Sequence, residues 1–277
     1  LYAAEYLART RRFNGTLHRM FQPAEELRYG GRGMVEDGLF DKFPCDTIFG
    51  LHNMPGQTLG KIGLRDGAMM ASSDTLHIEV KGVGGHGAVP EHTVDATLVA
   101  CHITLALQSI VSRNITPFEP AVVTVGSIQA GHAPNIINDK VLMKLTVRTL
   151  NEEVRETVLQ RIHDIAIAQA ESFNATATLT HVNGSPVLRN DPAANDRVRA
   201  VATSLFGAGL VGEVKPFMGS EDFAFMLEHN PHGCYFTIGA GDEAERCMVH
   251  NPGYDFNDEI LLPGAALWCG LTEEYLR

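Results

Sequence analysis

The sequence predicts an α/β chain of two domains, the second inserted into the first. Three observations carry this. At 277 residues the chain is longer than one hydrophobic core usually organises. Its apolar residues recur at helical spacing in some stretches and alternate with polar ones in others. Between Ser73 and Ser185 the elements follow the order strand-helix-strand-strand-helix-strand, a complete ferredoxin-like α+β unit. The expected division is therefore 1–72 with 186–277 as the outer domain and 73–185 as the insert.

In the outer domain, Leu1 to Ala8 is apolar at helical spacing but starts without a cap residue or an initiator Met. A helix without a start signal leads us to expect that the domain is incomplete at its N-terminus. After the turn at Asn14-Gly15, residues 16–22 read as a buried strand that stops at Pro23, which cannot donate to a ladder. Glu25 and Glu26 then fall at a strand end, where α/β proteins place their ligands. Gly30 to Phe40 is a short helix of modest propensity. Asp46 to His52 is a second buried strand, ending in a histidine. Two consecutive strands would thus bring Glu25, Glu26 and His52 to one sheet edge.

The insert opens with Thr75 to Lys81, alternating as a half-exposed strand does. A glycine loop, Gly82 to Gly87, precedes a helix through Ala96, Val99, Ala100, Ile103, Leu107, Ile110 and Val111. Strands follow at 122–128 and 141–150. Asn151 caps a helix with Glu152 and Glu153 in its first turn and Val154, Val158, Ile162 and Ile165 on one face. Ala175 to His181 closes the unit. The outer domain resumes with a helix at 192–206, a loop at 217–223 leading into a helix through Leu227, a strand at 234–239, a polar loop at 250–253 and a final helix at 261–276.

Charge narrows the class of partner. With 22 basic and 33 acidic side chains the net charge is −11, which disfavours nucleic acid and anionic membrane surfaces. The best apolar run, Leu98 to Leu107, is interrupted by His102 and Thr104 and is too short to span a bilayer. Five scattered cysteines with no C-x-x-C pair fit reduced thiols and an expected cytoplasmic location.

Several catalytic signatures are missing: no H-E-x-x-H, no G-x-S-x-G and no P-loop occurs. Gly82 to Gly87 fits G-x-G-x-x-G, but Pro90 delays the helix and no acidic residue follows at ribose distance. The adjacent carboxylates of Glu25 and Glu26 repel when both are ionised. A cation resolves that conflict if Glu26 ligates it and Glu25 takes a proton from its water; two solvated loop charges resolve it too.

Five segments, in order, shift the balance: Gln22-Pro23-Ala24-Glu25-Glu26, Gly50-Leu51-His52-Asn53, Gly84-Gly85-His86-Gly87-Ala88-x-Pro90, Met218-Gly219-Ser220-Glu221-Asp222-Phe223, and His250-Asn251-Pro252-x-Tyr254-Asp255-Phe256-Asn257-Asp258. Together they resemble the dinuclear metallo-aminoacylase and carboxypeptidase family, in the branch of hippurate hydrolase, N-acyl-amino-acid amidohydrolases and auxin-conjugate hydrolases. The resemblance covers essentially the whole chain. It implies a zinc-peptidase-like catalytic domain carrying a lid or dimerisation insert, an N-acyl amino acid substrate, and a homodimer formed through the insert. By the same resemblance Glu25 is the general base, Glu26 and His250 ligands of one metal, and His52 a ligand of the second. His86 is the lid histidine that reaches the partner subunit's site, Asn135 and Arg148 receive the substrate carboxylate, and Ser220 contacts substrate. Glu221 and Asp222 order their loop.

The family's two further motifs, a His-x-Asp strand end and a Cys-Gly-His-Asp segment, occur nowhere in the sequence and are expected upstream of Leu1. Two divalent ions, zinc or manganese, are implied for the intact protein. Three candidate ligands cannot satisfy two cations, so this chain is expected to hold one ion or none and to be inactive. A dipeptidase or carboxypeptidase with the same site, and a non-catalytic module that dimerises through the insert, are the alternatives.

Overall fold

The computed structural model describes residues 1–27, 29–242 and 247–277. The chain divides into two compact units: Leu1–Met69 with Leu188–Pro216 and Asp222–Arg277, and Met70–Val187 with Phe217–Glu221. The second unit thus takes in 217–221, a stretch the sequence reading gives to the outer domain. Ala71 N–H donates to the carbonyls of Phe217 and Gly219 at 3.0 and 2.9 Å, which ties that stretch in.

The first unit opens with α1 (Tyr2–Thr10), which buries Leu7 and ends at Arg11 in the left-handed region. The strand expected at 16–22 does not form. These residues have no regular structure and, among the described residues, pair with no strand. Strand preference reflects packing against a neighbouring strand, and here none lies alongside. Helices α2 (Gly30–Glu36) and α3 (Leu39–Lys42) split the single expected helix at Gly38, whose φ of 81° is open to glycine. Strands β1 (Ile48–Met54), β2 (Ile62–Leu64) and β3 (Gly67–Met70) follow.

The second unit contains β4 (Ser73–Lys81), β5 (Gly85–His86), α4 (Ala96–Leu107), α5 (Ser109–Arg113), β6 (Ala121–Ala130), β7 (Ile136–Ile137), β8 (Lys140–Thr149), α6 (Glu152–Ser172) and β9 (Thr176–Ser185). Its antiparallel sheet has the order β6-β8-β4-β9, the ferredoxin-like arrangement that the element order implied. Residues of alternating strands turn Ile78, Val80, Met143, Leu145 and Val147 into a core shared with Val99, Ile103, Val158 and Ile162 from the helices. Asp95 caps α4 by accepting from Thr97 N–H at 2.8 Å. The one long helix expected through Val111 is interrupted at Gln108. Its N–H bonds back to Leu105 at 3.2 Å, and the Ser109 hydroxyl takes the Ala106 carbonyl. Residues 96–113 together reach a mean hydropathy of 1.2. A third of the stretch is buried, in the core of this unit, while Leu98 and Leu105 are exposed.

Asp74, with no exposed surface, receives the Nε and Nη2 of Arg155 at 2.8 and 2.7 Å and lies 2.8 Å from His181 Nε2. At the open end of the sheet Ser73 stands opposite Ser185.

Back in the first unit come β10 (Leu188–Asn190), α7 (Pro192–Phe206), β11 (Val211–Glu213), α8 (Ala224–His229), β12 (Gly233–Gly239) and α9 (Leu261–Tyr275). The sheet order is β1-β12-β2-β11, with β1 parallel to β12 and β2 antiparallel to it. Every residue of β12 is buried, as the centre of a covered sheet requires. Strands β1 and β11 form the sheet's two edges among the described residues. The short strands β2, β3, β10 and β11 were not read from sequence. Asn190 joins β10 to β12: its amide donates to Tyr235 O and accepts from Tyr235 N–H, both at 2.8 Å.

All five cysteines are free, and Cys234 alone is fully buried. Burial pushes its thiol well above the ordinary value near 9. The unfolded chain therefore ionises this thiol first, and stability falls as pH rises past that ordinary value. Urea unfolding at stepped alkaline pH should show wild type losing about 1.4 kcal/mol per pH unit relative to Cys234→Ala. In native protein a thiol reagent should label exposed Cys101 quickly and Cys234 only on unfolding.

Candidate active site

Glu25 and Glu26 lie on a single 3₁₀ turn, Glu25–Leu27, and not at a strand end. Ala24 enters the turn at a φ of 50°, and Leu27 N–H closes it on the Ala24 carbonyl at 3.2 Å. Glycines make the exit. A Cβ on Gly30 would sit 1.5 Å from the Pro23 carbonyl oxygen, and one on Gly31 would sit 2.4 Å from the Asp222 carbonyl oxygen. Only residues without side chains allow the backbones to pass so closely.

His250 comes to this turn from the other end of the chain, its Nδ1 3.3 Å from Glu26 Oε2. Both side chains are about two-thirds exposed, so their mutual attraction is worth at most about 1 kcal/mol and cannot itself set the geometry. The backbone sets it. His250 holds a φ of 66°, unusual for a residue with a Cβ, in a turn where Gly253 N–H donates to Asn251 Oδ1 at 2.8 Å.

His52 lies in β1, parallel to β12 and opposite Thr237. Its Nδ1 is 2.5 Å from the Asn53 carbonyl. A carbonyl only accepts, so Nδ1 carries the proton and the Nε2 lone pair remains to bind a cation. The neighbouring Asn53 amide donates to the Tyr254 hydroxyl, which joins the tip of β1 to the loop carrying His250. Among the described residues, Glu26, His52 and His250 do not all present ligand atoms within 4.8 Å of one another. Glu25 and Asp222 do bring carboxylate oxygens within that distance.

The second unit carries the remaining candidates. His86 pairs with Ile136 in the β5–β7 ribbon, and the adjoining Gly87 N–H donates to the Asn135 carbonyl at 2.8 Å. Ala88 N–H donates to His86 Nδ1 at 3.1 Å, which leaves the His86 proton on Nε2. Arg148, in β8, donates from Nη1 to the Met218 carbonyl at 3.1 Å and approaches Ser220 Oγ at 3.4 Å. Arg148 and Ser220 are therefore neighbours, which their separation in sequence conceals.

The donor set suits a borderline divalent ion: carboxylate oxygen and imidazole nitrogen, with two partners already 3.3 Å apart. The description of peptidase family M20/M25/M40 matches residues 1–274. The chain belongs to that family. It is 43% identical to the hippurate hydrolase of Campylobacter jejuni, covering 100% of this chain and 71% of that protein. It is 36% identical to the N-acetyl-L-cysteine deacetylase of Bacillus subtilis strain 168, over 90% of this chain and 58% of that protein. The Bacillus subtilis YXEP protein, a dinuclear metal binding peptidase, matches with a TM-score of 0.81 at 28% identity, over 99% of this chain and 69% of that one. The resemblance read from the five motifs is thus borne out, and so is the α/β fold of an M20 hydrolase. As a member of this family the chain is a hydrolase by descent.

Two features of this M20 chain escaped the sequence reading. One is the link from Asn53 to Tyr254; the other is the position of Asp222, which accepts from Gly31 N–H at 2.7 Å and from the Gln22 amide. Their trace in sequence is that Asn53, Tyr254, Asp222 and Gln22 lie inside segments already marked by a candidate site residue.

Proposed function

We propose that this chain carries the site of a metal-dependent amidohydrolase that cleaves the amide bond of N-acyl amino acids. The approach of His250 to Glu26, with Glu25 on the same turn, carries the reading. Glu26 and His250 would hold one divalent cation, zinc or manganese, and His52 a second. When bound, such ions supply a water of lowered pKa and polarise an amide carbonyl. Glu25 accepts the water's proton at its carboxylate and returns it to the departing amine. The His86 Nε2–H donates to the developing oxyanion, serving the site of a second copy in a homodimer built through residues 73–185. Arg148 and Asn135 receive the substrate carboxylate, Arg through its planar fork, with Ser220 beside Arg148. The names of the Campylobacter and Bacillus subtilis relatives both denote cleavage of an N-acyl amino acid, which supports this substrate class.

Three protein ligands are few for two ions. The chain should bind about one zinc or manganese ion and no more, measured by elemental analysis after gel filtration. Glu26→Gln should remove that ion, and retention by both Glu26→Gln and His250→Ala would overturn the assignment. Turnover should then be close to background, and any seen should fall on N-benzoyl, N-acetyl or indole-acyl amino acids. Cleavage of free dipeptides alone would replace this reading with the peptidase one. Neither metal binding nor cleavage would favour a non-catalytic dimerising module.

A further inference from the structure

We propose that Asp222 is a positioning residue that fixes the Glu25–Glu26 turn by clamping both of its ends. The proposal rests on the reading of Glu25 as base and Glu26 as ligand, and adds to it the group that aims them. Asp222 is fully buried. One carboxylate oxygen, Oδ2, accepts from Gly31 N–H at 2.7 Å, just beyond the turn. The other, Oδ1, accepts from the Gln22 side-chain amide, just before it. A single planar group thus spans the two feet of the segment.

The turn is not anchored by apolar burial. It contributes no buried residue, and Leu27 is three-quarters exposed. The backbone closure from Leu27 to Ala24 is internal and fixes shape but not placement. Gly31 lies in the first turn of α2, where N–H groups have no partner within the helix, and Tyr29 offers no side-chain cap. Asp222 supplies that cap from a distant part of the sequence. Buried hydrogen bonds to a carboxylate are stronger and more directional than neutral ones, so they fix a loop more tightly. Partners of metal ligands that act in this way change metal affinity without touching the ion.

Substitution separates bonding geometry from charge. In Asp222→Asn the remaining carbonyl can still accept from Gly31. The new amide can donate to Gln22 once the Gln22 side chain turns over. Asp222→Ala removes the Asp222 bonds at both feet, and Gln22→Leu removes only one of them.

Two measurements on the full 277-residue chain test the clamp. In hydrogen exchange, peptides covering 20–33 should exchange about tenfold faster in Asp222→Ala and little faster in Asp222→Asn, with the β12 peptide unchanged in both. In chelator competition with zinc alone, Asp222→Ala should weaken binding about 10–100-fold, Gln22→Leu less, and Asp222→Asn should stay close to wild type. Unchanged exchange at 20–33 in Asp222→Ala overturns the proposal, as does equal loss of zinc affinity in the Ala and Asn variants. If wild type binds no zinc, the functional reading of Glu26 and His250 fails, and the exchange measurement alone still decides the clamp.

Discussion

Arg155→Ala should lower the unfolding free energy by about 3–5 kcal/mol, followed by far-ultraviolet circular dichroism in urea. Asp74 is wholly buried, and Arg155 meets it with two nearly equal hydrogen bonds, a fork against a carboxylate. Those bonds to Asp74 lead the causes that hold the Arg155 guanidinium further above its already high pKa, so it stays charged throughout the accessible range. Removing the arginine leaves the carboxylate facing His181 with no permanent cation. Asp74→Asn combined with Arg155→Met should cost less than the sum of the single changes, because neither partner is then an orphan. A loss below about 1 kcal/mol in Arg155→Ala would mean that water reaches Asp74.

Phe236→Ala should cost a similar amount, about 3–5 kcal/mol, through the cavity it opens. Phe236 is fully buried at the middle of β12 and packs on Trp268 with ring centroids 5.6 Å apart. Trp268 is the chain's only tryptophan, so its emission in urea reports this unit directly. The same strand supports β1 and therefore His52, opposite Thr237. A variant with a lowered transition and unchanged emission before unfolding fits a collapsed cavity, whereas red-shifted emission in native buffer marks water entry beside the indole.

The sequence made the long elements legible and the short ones not. Helix α6 has a cap, acidic first-turn residues and a regular apolar face, and β4 and β8 alternate cleanly, so local pattern was enough. Strands of three residues such as β2 and β11 carry too few positions for a period to show. Residues 16–22 have strand composition without a strand beside them, and composition cannot report a missing neighbour. For the site, the motifs identified Glu26 and His250 as members of one group, and the structure brings those two side chains together. The left-handed backbone of His250 and the reach of Asp222 to Gln22 and Gly31 depend on parts of the chain far apart in sequence, and no local pattern encodes them.

Ser73 and Ser185 face one another across adjacent strands. The whole stretch between them therefore leaves and rejoins its host at points only about 5 Å apart, the spacing of a strand pair. For loop-closure entropy its host experiences something equivalent to a hairpin turn, however long the excursion. Closing the host chain around the 73–185 excursion thus costs it no more than a tight turn would.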